Sequence, residues 1–386
     1  MRIDRAILCI VIVQLLFSGL LAQEFDETER MMADLTNAFG PPGYEDEVAE
    51  VFIRYIRPLV DEIRRDGMGN VIAVKHGAES APKLMLTAHM DEVGFMVKSI
   101  DKDGFLRYQP LGGWWSQVLL SQTVRIRTRK NGDVQGIFGS KPPHLLSDQE
   151  RAEVIGHDEI FIDIGASSAE DARQRFGVMP GDYIVPDVDF AKLNQSKVYK
   201  ARSWDDRVGL AVMVEVLKRL EGRDLPNNLY LVGTVQEEPW LRGIEPAANA
   251  VDPDIAIALE IGVTGDTPGI EEHEAQGELG GGPQVFFFDR SLIPDRRFRD
   301  FIWDVGSEMN MALQYTFLPG GGVDGAVVQR ANDGAPVVCI GVPTRYIHSH
   351  NNLIHRDDFD EMVTLVTELV LRIDRDRLGQ LLPPVP

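Results

Sequence analysis

Five apolar or strand-like segments of this 386-residue chain each lead into a histidine or a carboxylate. They are KLMLTAHMDE (His89, Asp91), SWDDRVG (Asp205, Asp206), LYLVGTVQEE (Glu237, Glu238), IAIALEIG (Glu260) and VVCIGVPTRYIHSH (His348). In an open α/β sheet, ligands gather in the crevice beyond the carboxyl ends of the strands. Segments so far apart in sequence meet only through folding. Two histidines with three or four carboxylates suit a pair of zinc-like ions in a mixed nitrogen and oxygen site. The expectation is an α/β fold and a metal-dependent hydrolase.

The texture of the chain divides it. Residues 28–65 show helical periodicity around the Pro41-Pro42-Gly43 turn. That turn puts Glu45 and Asp46 in the first turn of a second helix, where carboxylates suit the dipole. NVIAVKH and KLMLTAHMD then read as strands. Between residues 100 and 190, short β-like pieces are separated by Gly, Asn and Asp turns, with NGD as a hairpin signal. Helix and strand patterns return with DDRVGLAVMVEVLKRLEG and LYLVGTV. Candidate ligands lie on both sides of the β-rich stretch. It is therefore expected to be an insertion, 100–190, into an α/β domain made of residues 23–99 and 191–386.

Residues 1–22 read as a secretory signal. MRIDR gives a basic start, AILCIVIVQLLFSGLLA an apolar run, and Ala22 a small residue before cleavage. The expectation is an exported protein, periplasmic or secreted, or a membrane-anchored one if the segment is kept. Cys9 lies in that segment, so the mature chain keeps Cys339 alone and cannot form an intrachain disulfide. A formal net charge of −21 disfavours nucleic acid and anionic lipid as partners. No stable membrane association is expected once the signal is removed.

Alternate residues of a strand point the same way, so His89 and Asp91 share a side. His89 can bind a metal while Asp91 buttresses the ring and fixes its tautomer. Of the adjacent Glu237 and Glu238, one can be a ligand while the other takes the proton of a metal-bound water. Asp205 opens a helix and could bridge two ions through its two oxygens, with Asp206 or Arg207 capping or pairing locally. Glu260 ends a run that should be buried, and an ionised Glu there needs a partner. His348, His350 and His355 crowd the last segment. His348 directly follows the strand-like run and is preferred, leaving His350 and His355 as surface or supporting residues.

Taken in order, HMDEVGFMV, GSKPPHLL, FIDIGASS, DDRVG, the Gln236-Glu237-Glu238 stretch followed by LRG, GDTPG and PTRYIHS resemble the tetrahedral (TET) aminopeptidases. These di-metal peptidases are also labelled glutamyl or deblocking aminopeptidases and, in older naming, endoglucanases. The resemblance covers nearly everything between residues 30 and 375. It implies a mixed-sheet, di-zinc α/β peptidase domain carrying an inserted, small β-barrel-like dimerisation domain. It implies His89, Asp205, Glu238, Glu260 and His348 as ligands to two divalent ions, zinc or alternatively cobalt, with Asp205 bridging. Glu237 would be the general base and Asp91 the auxiliary carboxylate behind His89. The substrates would be peptides that lose N-terminal residues. Assembly would be a homo-oligomer built from dimers, up to a dodecamer.

The chain departs from that pattern in three places. Glu260 stands where the family usually has Asp, Pro239-Trp240 replace a small Val-Gly, and His350-Asn351 replace Pro-Val. An export signal is also unusual in this mostly cytoplasmic family. A glycoside hydrolase, the older label, would need two carboxylates about 5–10 Å apart and no ligand histidines. The His/Asp/Glu set argues against it. An exported scaffold with a damaged site would lack a required functional group, and none is missing here.

Overall fold

A computed structural model of the chain describes residues 25–271 and 273–383. Three strands precede the β-rich segment: β1 (Glu62–Arg65), β2 (Val71–Lys75) and β3 (Lys83–His89). Six follow: β4 (Gly94–Ile100), β5 (Leu106–Leu111), β6 (Thr123–Thr128), β7 (Gly132–Gly139), β8 (Phe161–Asp163) and β9 (Tyr183–Pro186). The remaining strands are β10 (Ala191–Lys192), β11 (Val198–Ala201), β12 (Asn228–Thr234) and β13 (Ile255–Val263). They continue as β14 (Gln284–Asp289), β15 (Gln314–Leu318), β16 (Val337–Arg345) and β17 (Asn352–His355). The longer helices are α1 (Glu27–Asn37), α2 (Asp46–Ile56), α3 (Trp204–Arg219), α4 (Arg296–Glu308) and α5 (Arg356–Arg372).

The strands β4-β5-β8-β7-β6-β9 close a barrel, and the other eleven form one mixed sheet. At the centre of that sheet β12, β3, β13 and β16 lie side by side and parallel. Period-two alternation explains why both faces are covered. Leu84 and Leu86 of β3, Ile257 and Leu259 of β13, and Val338 and Ile340 of β16 pack on one face with α1, α2, α3 and α5. Met85, Ala256, Ala258, Val337 and Cys339 pack on the other, against Ile244, Ala247 and Val251 of a shorter helix. Both faces are apolar, so these strands read as continuous hydrophobic runs, as buried parallel strands do. Each buried Leu or Ile contributes about 1.5–3 kcal/mol. This is the expected α/β fold with an inserted barrel.

The barrel has its own core, in which Phe95, Tyr108, Phe138 and Trp114 stack edge-on or offset around Val97, Ile126, Ile162 and Ile184. Its first strand begins at Gly94, so the break near residue 100 falls at the end of that strand. The barrel leaves the sheet immediately after the His89–Asp91 segment, which keeps its loops close to the crevice. The signal-like residues 1–22 lie outside the described residues. Among the described residues, no helix is long and apolar enough to cross a membrane.

Candidate metal centre

The parallel strands deliver the side chains to one end of the sheet. His89 is the last residue of β3 and stands opposite Thr234, the last of β12, so Glu237 and Glu238 follow beside it. Asp205 lies at the start of α3, and His348 follows β16. Glu260 sits within β13, three residues before its end rather than at it, and pairs with Gly341 of β16. All of the sequence-predicted residues meet here.

Asp205 sits between the two histidines. Its Oδ1 is 3.0 Å from His89 Nε2, and its Oδ2 is 3.3 Å from His348 Nε2. Glu238 Oε2 is 3.4 Å from the same His348 nitrogen, and Glu237 Oε2 is 3.9 Å from His89 Nε2. Donor atoms of His89, Asp205 and Glu238 lie within 4.8 Å of one another, as do those of His89, Glu237 and Glu260. The second grouping puts Glu237 within reach of an ion as well as of a water.

His89 Nδ1 is 3.0 Å from the backbone oxygen of Asp91 and 3.6 Å from its carboxylate. A carbonyl can only accept, so Nδ1 carries a hydrogen, and a protonated Nε2 donates to Asp205 Oδ1. The Asp91 carboxylate does something the sequence reading did not foresee. It accepts from the amides of Glu237 at 2.9 Å and Glu238 at 3.1 Å. Asp91 thus supports His89 mainly through its backbone, and it holds the Glu pair with its side chain.

The electrostatics are those of a crowded anionic pocket. Burial, together with the neighbouring charges of Glu260, Asp324 and Glu238, raises the Glu237 carboxyl well above the usual range, although His89 opposes this. Burial and the charge of Asp206 raise Glu260 likewise. Burial works against ionising Asp205, but hydrogen bonds to His348 and His89 hold it below the ordinary value. Burial also disfavours charge on His89, yet Glu237 and Asp205 raise it overall. Five carboxylates or imidazoles with little exposed area are costly unless cations neutralise them. Glu238 Oε1 is buried and has no hydrogen-bond partner among the described residues. An orphaned carboxylate oxygen, two imidazole nitrogens and a bridging carboxylate suit a pair of divalent ions.

Other residues complete the frame. Asp206 accepts from the amides of His89 and Gly209, and Arg207 is buried against the carbonyls of Leu35 and Gly40. His350 is buried rather than on the surface. Its ring packs against Trp114 and Phe138, and burial lowers its pKa to about 4. His355 caps α5 by accepting from the Asp357 amide. Glu45, read from sequence only as a helix-dipole carboxylate, turns inward to accept from the amides of Gly43 and Gln236. Asp324 is buried and bonded to Thr234 Oγ1 at 2.5 Å, beside Glu237 in charge terms. The signal for it was the Gly-rich LPGGGVDGA, which marks a close turn but not a carboxylate role. Gly112 and Gly113 of the barrel press on the site. A Cβ at Gly112 would lie 3.0 Å from Glu238 Oε2, and one at Gly113 would lie 3.2 Å from His348 Nδ1.

The chain matches the description of the M42 glutamyl aminopeptidases over residues 69–365. It is 33% identical to a lysyl aminopeptidase of Pyrococcus furiosus, with 88% of this chain and 96% of that protein aligned. A TET aminopeptidase from a marine-sediment Thaumarchaeota archaeon superposes with a TM-score of 0.89 at 40% identity, covering 92% of this chain and 99% of that one. Pyrococcus horikoshii TET1 peptidase, described as assembling into a tetrahedron or a large octahedral shell, superposes with a TM-score of 0.78 at 29% identity, covering 90% of this chain and 100% of that one. These matches correct the expectation of export, and with it the signal peptide and the membrane anchor. The likeness is to TET aminopeptidases, and the family match spans residues 69–365, leaving the signal-like residues 1–22 outside it. The segment that suggested export by its basic start, apolar run and small Ala22 lies outside the described residues.

Proposed function

Because this chain belongs to the M42 glutamyl aminopeptidase family, we propose that it is a di-metal aminopeptidase that removes N-terminal residues from peptides. The observation that carries the reading is the Asp205 carboxylate, with one oxygen on each of two histidines. His89, Asp205 and Glu260 would hold one divalent ion, and Asp205, Glu238 and His348 the other. Zinc fits the donor set, and cobalt is the alternative. When bound, such ions acidify a water and polarise the scissile carbonyl.

The chain's own residues supply the rest. Glu237 is the proposed general base. It is buried, with its carboxylate 3.9 Å from His89 Nε2, which would set it against a water held at the centre. It would take the proton of the attacking water and return it to the departing amine. Asp91 fixes the backbone of Glu237 and Glu238, so base and ligand keep a constant relation. Homo-oligomerisation built on a barrel-mediated dimer is part of the proposal, and the exposed Ile137 and Leu145 of the barrel support it.

Glu237→Gln tests the reading. The amide is nearly isosteric but cannot accept the proton, so turnover of an aminoacyl p-nitroanilide should fall about 10²–10⁴-fold with fold and metal content kept. Unchanged kcat would remove Glu237 as the base.

A further inference from the structure

Three exposed aromatic residues each lie two positions along the chain from a residue at or against the centre. Trp240 follows Glu238 by two residues and is 87% exposed. Tyr346 precedes His348 by two and is 55% exposed, and Trp115 follows Gly113 by two and is 60% exposed. Two residues of backbone span at most about 7 Å, so the backbone carrying each ring is tethered near the rim of the crevice. They arise from three different segments: the loop after β12, the loop after β16 and the barrel loop after β5.

The backbone keeps two of these rings in place at a conformational cost. Trp240 has φ +82°, and Tyr346 has φ +61°. Bulky side chains seldom adopt this region, and such strain persists only where surrounding structure over-determines it. The Trp240 turn is closed by a 2.7 Å hydrogen bond from the Leu241 amide to the carbonyl of Glu237. A glycine would sit at φ +82° without penalty, and it would leave no ring in water. Among the described residues, the most exposed large apolar side chain, that of Trp240, stands instead three positions from the proposed base.

We propose that Trp240, Tyr346 and Trp115 form an aromatic collar that binds the part of a peptide beyond the scissile bond, favouring an aromatic or large aliphatic side chain at its second or third residue. The inference rests on the aminopeptidase reading and names its substrate class. In such an enzyme the N-terminal residue is seated at the centre while the rest of the peptide leaves toward solvent. Exposed rings on backbone tethered near the rim therefore meet residues after the cleaved bond. Offset or edge-on contact between rings adds to the area they bury.

The test compares Ala-Phe-Ala with Ala-Ala-Ala, which share the N-terminal residue, on wild type, Trp240→Gly and Trp240→Phe. The wild-type ratio of kcat/KM is expected to favour the Phe peptide by about tenfold. Trp240→Gly should cut that ratio at least threefold, chiefly through KM, and Trp240→Phe should restore most of it. Tryptophan fluorescence of Glu237→Gln should change on adding Ala-Phe-Ala and respond less to Ala-Ala-Ala. A wild-type ratio near one, or a ratio unchanged in Trp240→Gly, overturns the collar. So does a smaller assembly of Trp240→Gly by light scattering, which would assign the ring to a subunit contact. Failure of wild type to cleave either peptide would instead overturn the aminopeptidase reading, and the fluorescence titration would still decide the collar.

Discussion

Glu45 accepts from two backbone amides inside the protein while facing the charge of Asp91. Burial first, and that charge second, push its carboxyl up to about 7. In the unfolded chain it ionises near 4.5. A raised folded pKa gives stability that is fully present below the unfolded value and lost as pH rises through the folded one. Glu45→Gln keeps the accepting oxygen and removes the titration. Its melting temperature relative to wild type should therefore rise between pH 5 and pH 8, by the equivalent of at most about 3 kcal/mol. A difference that does not change with pH would contradict this account. The cluster of candidate residues was legible in the sequence because strand ends and residue types are local signals. The sequence did not show Glu45 or Asp324, whose partners lie far away in sequence at Gln236 and Thr234. Nor did it show that His350 is buried, since its aromatic neighbours come from the barrel.

At the scale of elements, the barrel is a wall of the site as well as an insertion. Gly112 has φ +89°, and a Cβ there would come within 2.7 Å of Val93 and 3.0 Å of Glu238 Oε2. Gly112→Ala should therefore displace a proposed ligand and weaken metal binding about 10–100-fold at one site, with the sheet intact. Metal titration with circular dichroism checks it, and unchanged affinity would detach the barrel from the centre. Beneath the site, Glu92 pairs with Arg202 at 2.8 Å and lies 3.4 Å from Arg207, and both guanidinia also hold carbonyls between residues 35 and 40. This buried trio fixes the β3-to-barrel connection against α1 and α3. The β-rich texture of the insertion was legible in its alternation and turns, but closure into a barrel was not. Closure depends on β5 pairing with β8, and on β9 pairing with both β4 and β6, which are contacts between distant segments.

For the whole molecule, a net charge of −21 opposes self-association, so an oligomer must gain from apolar contact. Ile137 is 48% and Leu145 67% exposed on the barrel. The double variant Ile137→Asp, Leu145→Asp should give a smaller species by light scattering with an unaltered fold, whereas full-sized particles would place the interface elsewhere. The proposed function depends on two bound ions. The most direct measurement is peptide cleavage by purified protein before and after exhaustive chelation, and again after adding zinc or cobalt. Release of the N-terminal residue should stop on chelation and return when about two ions per chain are restored. Cleavage that persists in fully chelated protein would contradict it.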